Sequence, residues 1–413
     1  MKKNRLNFRI NHALFALVAG IAFFSYSCTK DSDNEPIREY VVQQTKILNY
    51  PLASIQVLVA GQMASYPEAA EIVNHINYGV DVYRVNYKTH YGDSLVTASG
   101  LVCIPDVKGS FPVMSFQNGT NASHADAPTV NPTDPGYVIM QFMASNGYAV
   151  LMTDYIGFDA SANIVHPYYQ RECTNNAVID LIHAYNELSE AGDIKSTPND
   201  SLFLLGYSQG GEATISATEK IEHDSPLNMD VIAVSAGAGA YDLMAFTDYV
   251  LAQESFPAPM YFPYFIYSHQ QFGTITSPLS LFFKEPYSTQ IPGLFDGSHT
   301  NGDINESLPN PIADLLTPEL IQNFETGDAF EELRNELTSS SIHGWKTNLR
   351  IQLYHGTADD NVPPDQSLNL YNEFITAGSN TEDVKHFTLE GLGHGAGLMP
   401  WGIGTVNWFN SLR

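Results

Sequence analysis

The chain has 413 residues with 45 Asp and Glu against 19 Lys and Arg, a formal net charge of −26, and three cysteines. At 44% hydrophobic it can bury a sizeable core, so wholesale disorder is excluded, and the cysteine count excludes a small disulfide-stapled scaffold. The acidic excess repels phosphate backbones, which argues against a nucleic-acid partner and reads otherwise as a solvated surface.

Taken from its start, the chain opens with Lys2, Lys3, Arg5 and Arg9, followed by an apolar run from Ala13 to Phe24 too short to span a bilayer comfortably. This is the pattern of an export signal. The run ends at Ser25-Tyr26-Ser27-Cys28, which resembles a bacterial lipoprotein signal with Cys28 as the acylated first mature residue; Ser25 stands where an aliphatic residue is usual. The resemblance implies a lipid anchor at Cys28, an exported protein held at the cell envelope, and a membrane as partner through that anchor. Loss of residues 1–27 would remove four bases and no acids, moving the charge from −26 to −30. Residues 28–45 follow as a flexible tether, polar and without apolar periodicity; the acids just after Cys28 resemble the surface-export tethers of some diderm lipoproteins. Cys103 falls in a strand-like run and Cys173 in a helix-like one, so two separate buried thiols are expected.

From Val80 the periodicity becomes informative. Val80–Tyr87 and Leu95–Ile104 are β-rich runs around Gly92-Asp93, a leading antiparallel pair. Strand and helix signals then alternate: strands at Pro112–Phe116, Tyr148–Asp154, Ser201–Leu205, Val231–Ser235, Leu349–Tyr354 and Lys385–Leu389, with helices at Tyr137–Ser145, Thr174–Glu190, Gln209–His223 and Asp365–Thr376. A last amphipathic segment lies near Val406–Leu412. The alternation predicts an α/β fold with a mostly parallel sheet and helices on both faces. Residues 242–345 break the rhythm and are rich in aromatics, predicting an inserted, largely helical lobe between a first core segment, 46–241, and a second, 346–413.

Gly206-Tyr207-Ser208-Gln209-Gly210 fits G-x-S-x-G between a strand and a helix, where the turn would present the Ser208 hydroxyl above the sheet. A serine hydroxyl needs a histidine to take its proton and a carboxylate to orient that histidine. The loop after Leu349–Tyr354 offers Asp359 and Asp360, of which the G-x-x-D-x-x-V-P spacing favours Asp359. The loop after Lys385–Leu389 offers His394 in a flexible Gly-rich stretch; His386 lies within the strand and His355 precedes the acid. Two N–H donors should face the oxyanion: the Gln209 amide, and one from Gln117-Asn118-Gly119-Thr120, with Thr120 preferred and Gly119 or Asn118 as alternatives. There is no H-E-x-x-H, C-x-x-C or phosphate-binding Gly loop, so no metal or cofactor is expected.

These residues resemble the α/β-hydrolase fold and, within it, the secreted lipase and esterase family of the yeast lipase A type. The resemblance runs from about Val80 to the C-terminus, through Val80–Thr89, Ala98–Val102, Ile104-Pro105, Thr153–Phe158, His166-Pro167-Tyr168, Gly206–Gly211 and Gly356–Pro363. It implies a Ser208-Asp359-His394 triad hydrolysing small-molecule carboxylic esters through an acyl-enzyme. Asn118 departs from the pattern, since many relatives have histidine before Gly-Thr, and the lobe matches poorly. Two other readings remain: a serine aminopeptidase or dipeptidyl peptidase of the prolyl-oligopeptidase type, with Glu254 or Glu285 as sites for a substrate amine, and a non-catalytic binding protein using the aromatic lobe.

Overall fold

The apolar runs without alternation are the strands covered on both faces. The computed structural model describes residues 38–63, 66–224 and 227–413; Cys28 and the export signal lie outside the described residues. Among the described residues there are nine strands: β1 (Val41–Tyr50), β2 (Val80–Tyr91), β3 (Ser94–Pro105), β4 (Gly109–Gln117), β5 (Ala149–Thr153), β6 (Ser196–Tyr207), β7 (Asp230–Gly237), β8 (Ile351–Gly356) and β9 (Val384–Leu389). They form one sheet in the order β1-β2-β3-β5-β4-β6-β7-β8-β9. Pairing is antiparallel from β1 through β3 to β5 and parallel from β5 onward, the mostly parallel α/β architecture that the alternation predicted.

The two-residue period of a strand divides the core in two. Along β2, Tyr83, Val85 and Tyr87 face one side and Val80 and Val82 the other; along β6, Leu202 and Leu204 oppose Phe203 and Leu205. The first side is covered by helices Arg171–Glu190, Gln209–His223 and Asp365–Thr376, through Ile182, Tyr185, Ile215, Leu370 and Phe374. The second is covered by helices Leu52–Met63 and His394–Ser411, through Ile55, Val59, Trp401, Val406 and Phe409. Cys103 and Cys173 are both buried and free.

Two sequence expectations are corrected. Residues 41–45, read as tether, are the first half of β1. This edge strand keeps only Val41 and Tyr50 buried, so its sequence is mostly polar and carries no core signature. The last helix does not begin near Val406 but at His394 itself, so the histidine expected in a flexible loop is the first residue of an 18-residue helix. Gly395, Gly397, Pro400, Gly402 and Gly404 hide that helix from propensity; burial of Trp401, Ile403, Val406 and Phe409 overrides it.

Between β7 and β8 the chain forms helices Leu243–Leu251, Tyr261–Phe272, Leu279–Phe282, Tyr287–Leu294, Asn301–Ser307, Ile312–Leu315, Pro318–Asn323 and Glu331–Ser340. Three of these starts carry side-chain caps: Asp242 accepts from the Ala245 amide, Thr317 from the Leu320 amide, and Thr300 with Asp303 makes a reciprocal capping box. The lobe's aromatic core, with Phe265, Phe282, Phe283 and Phe330 buried, continues into the body through Tyr168, Tyr169 and Val362.

Candidate active site

The strand β6 ends at Tyr207 and a helix begins at Gln209, leaving Ser208 to turn the chain alone. It does so at φ 60°, ψ −124°, a conformation that costs a non-glycine residue roughly 1–3 kcal/mol and must be held by its surroundings. The Ser208 amide donates to Gly237 O at 2.8 Å, and Ser208 O accepts from the Gly211 amide at 2.9 Å. At Gly210 an added Cβ would lie 1.9 Å from Gln117 O, so only glycine lets the helix start press against the end of β4.

His394 Nε2 lies 2.9 Å from Ser208 Oγ, and His394 Nδ1 lies 2.7 Å from Asp359 Oδ2. Asp359 is buried, whereas Asp360 is exposed. The other oxygen of Asp359 accepts from the amides of Asn361 at 3.0 Å and Val362 at 2.9 Å. Burial pushes this carboxyl up, but hydrogen bonds from His355, His394 and the Val362 amide outweigh it and hold Asp359 well below the usual carboxylate range. The carboxylate is thus held in its charged form near neutral pH, and it orients His394 with Nδ1–H toward itself and Nε2 toward the serine.

Two neighbours of this line were not singled out by the sequence. His355, set aside because it precedes the acid, places Nε2 3.3 Å from Asp359 Oδ2 while its Nδ1 meets Ser367 Oγ at 2.7 Å. Its four-residue spacing from Asp359 was the available signal. Tyr207 donates its hydroxyl to His394 O at 2.7 Å, fixing the start of the last helix; nothing in G-Y-S-Q-G marks that contact.

Opposite the histidine lies the loop after β4. A Cβ on Gly119 would sit 3.7 Å from Ser208 Cβ, so this loop is a wall of the site. Among the described residues, the amides of Gly119, Thr120 and Gln209 donate to no protein acceptor, leaving them free for a third party. Thr120 Oγ1 is 3.0 Å from Tyr168 OH, and Asn118 turns its side-chain amide back onto Gly119 O at 3.0 Å.

From Ser208 a narrow apolar cavity of about 40 Å³ runs into the lobe, lined by Tyr168, Leu243, Phe246, Val250, Phe256, Tyr261, Phe262 and Phe265. Glu254 and Glu285 are both exposed and neither lines it, so the amine site that a peptidase would need is not built from them.

Residues 124–255, about a third of the chain and including Ser208, match the Secretory lipase family. Solved structures share the fold over nearly the whole length. A Legionella pneumophila protein described as a hydrolase is 25% identical with a TM-score of 0.79, covering 91% of this chain and 98% of its own. The rice cell wall degrading esterase LipA from Xanthomonas oryzae is 21% identical with a TM-score of 0.77, covering 92% and 100%. Candida antarctica lipase A in its closed state is 15% identical with a TM-score of 0.64, covering 90% and 82%. No curated protein matches the chain by sequence.

Proposed function

We propose that this chain, an α/β-hydrolase of the secreted lipase family, is an esterase that cleaves carboxylic esters through an acyl-enzyme at Ser208. The observation that carries the reading is the continuous line Ser208–His394–Asp359 at 2.9 and 2.7 Å, built from the C-terminal ends of three parallel strands. His394 takes the Ser208 proton as Oγ attacks the ester carbonyl. The resulting oxyanion sits between the Gln209 amide and that of Thr120 or Gly119. Collapse expels the alcohol, which takes the proton from His394; water then repeats the sequence and releases the acid. Asp359 stays ionised and stabilises the imidazolium. The apolar cavity suits an alkyl or aryl acyl group, and its narrowness favours short ones.

Protein lacking residues 1–27 is expected to release acid from nitrophenyl esters and to be labelled at Ser208 by a fluorophosphonate. Ser208→Ala should lower turnover by about 10⁶; an unchanged rate in that variant sinks the reading. The family suggests export. Acylation of Cys28 would then hold the enzyme at the cell envelope, and full-length Cys28→Ser should leave the membrane fraction. No helix among the described residues is long and apolar enough to cross a membrane.

A further inference from the structure

The segment His166-Pro167-Tyr168 lies between β5 and helix Arg171–Glu190 and contributes no reacting group. His166 is nonetheless only 4% exposed and has both ring nitrogens engaged. Nδ1 lies 2.7 Å from Ile156 O; a carbonyl can only accept, so Nδ1 carries the proton. Nε2 is then a lone pair, and it meets the side-chain nitrogen of Gln209 at 2.9 Å. That pairing fixes which way the Gln209 amide points. Gln209 is the residue whose backbone N–H faces the oxyanion, and the residue as a whole is 1% exposed. At Gly157, φ is +103° and a Cβ would fall 2.5 Å from His166 Cα, so glycine is what admits the histidine to this position.

The rings around His166 reach the other side of the site. Tyr155 stacks on the imidazole at 5.7 Å, and Tyr168 and Tyr264 flank it at 6.0 and 5.9 Å. Each of the three directs its phenol to the loop after β4. Tyr155 OH donates to Asn118 O at 3.0 Å, Tyr168 OH pairs with Thr120 Oγ1 at 3.0 Å, and Tyr264 OH donates to Asn121 O at 3.0 Å. The lobe thus takes part, since Tyr264 belongs to it and Asn301 adds a bond to Thr120 O at 2.6 Å.

We propose that His166 and its three tyrosines are positioning residues that hold the two oxyanion donors in register, Gln209 through its side chain and residues 118–121 through the phenols. The inference rests on Ser208 being the nucleophile. Its physical basis is that a donor aimed at developing charge must be fixed before the reaction, and a loop amide has no ladder to fix it. Burial pushes the imidazole down to about 4, so near neutral pH it stays uncharged and keeps its lone pair for Gln209.

His166→Phe keeps the ring within its aromatic surroundings and removes both nitrogens. It is expected to lower kcat about 10- to 100-fold, less than outright loss of a donor, with KM changed by less than about threefold. Gln209→Met cuts the same link from the other side while retaining the backbone amide, and should lose a similar factor. The double variant should be no slower than the worse single, because both remove one coupling. His166→Gln, whose side-chain oxygen can accept from Gln209, should recover part of the loss. Unchanged kcat in the single variants, or losses that multiply in the double, would overturn the proposal. If His166→Phe does not fold, Gln209→Met decides alone by the same criterion. Fluorophosphonate labelling of the unsubstituted protein separates the two failures: no labelling removes the nucleophile assignment itself, whereas labelling with unaffected variants removes only the positioning role.

Discussion

The hydrolase body and the inserted lobe meet at Ser208 and contribute in different ways. Every group in the proposed proton path comes from the body, where each sits one or a few residues beyond the end of a parallel strand: Ser208 after β6, Asp359 after β8, His394 after β9. The lobe contributes apolar walls, together with polar ties to the loop after β4, among them Tyr264 to Asn121 O, Asn301 to Thr120 O and the His124 amide to Gly297 O. A sheet end sets position through a hydrogen-bonded ladder, whereas a lobe of short helices sets it through packing. The body should therefore govern the chemical step and the lobe the choice of acyl group.

The largest expected effect belongs to the body. Asp359→Asn keeps the shape but can favour the wrong tautomer of His394, and turnover should fall about 10⁴-fold with KM nearly unchanged. A fall of less than tenfold would mean that His355 or the helix start orients His394 without the acid. A smaller effect is expected from the lobe. Phe246→Ala opens the wall of the cavity and should raise the kcat/KM ratio of an octanoyl over a butyryl ester about tenfold, leaving turnover of the acetyl ester within about twofold. A comparable loss on every ester would break the division, showing that this wall also bears on the chemical step.

The smallest expected effect tests the helix beneath Ser208. Glu212 is fully buried one turn below Ser208, and burial, partly offset by Arg171, pushes its carboxyl from the usual 4.5 up to about 8. A folded-state value raised above the unfolded one favours the protonated fold. Its contribution is complete below pH 4.5 and is lost as pH rises through 8. Glu212→Gln cannot ionise, so its Tm should gain on the parent between these pH values and reach a lead of a few degrees. A pH-independent difference would show that Glu212 is charged and paired in the fold.

What could be read from the chain was whatever local sequence carries. Leu202–Leu205 followed by Gly-x-Ser-x-Gly is a strand, a turn and a helix start within ten residues, and the glycine at 210 is required by a contact 1.9 Å away. The G-x-x-D spacing separated Asp359 from Asp360 because the turn there buries one and exposes the other. The lobe could be delimited by its loss of alternation but not resolved into helices, since its aromatics point inward at no fixed period. The edge strand β1 was missed because it buries almost nothing. The contacts of His355, Tyr207 and His166 depend on segments that meet only after folding. For His166 the sole trace was a resemblance at His166-Pro167-Tyr168 with no role attached.

The start of the last helix at His394 bears on the order of synthesis. Ser208 leaves the ribosome 186 residues ahead of His394, and His394 is aligned only once the residues that bury its helix, as far as Phe409, have packed against the second face of the sheet. On the proposed mechanism a growing chain therefore carries an idle serine throughout elongation, and hydrolysis would switch on only with completion of the fold.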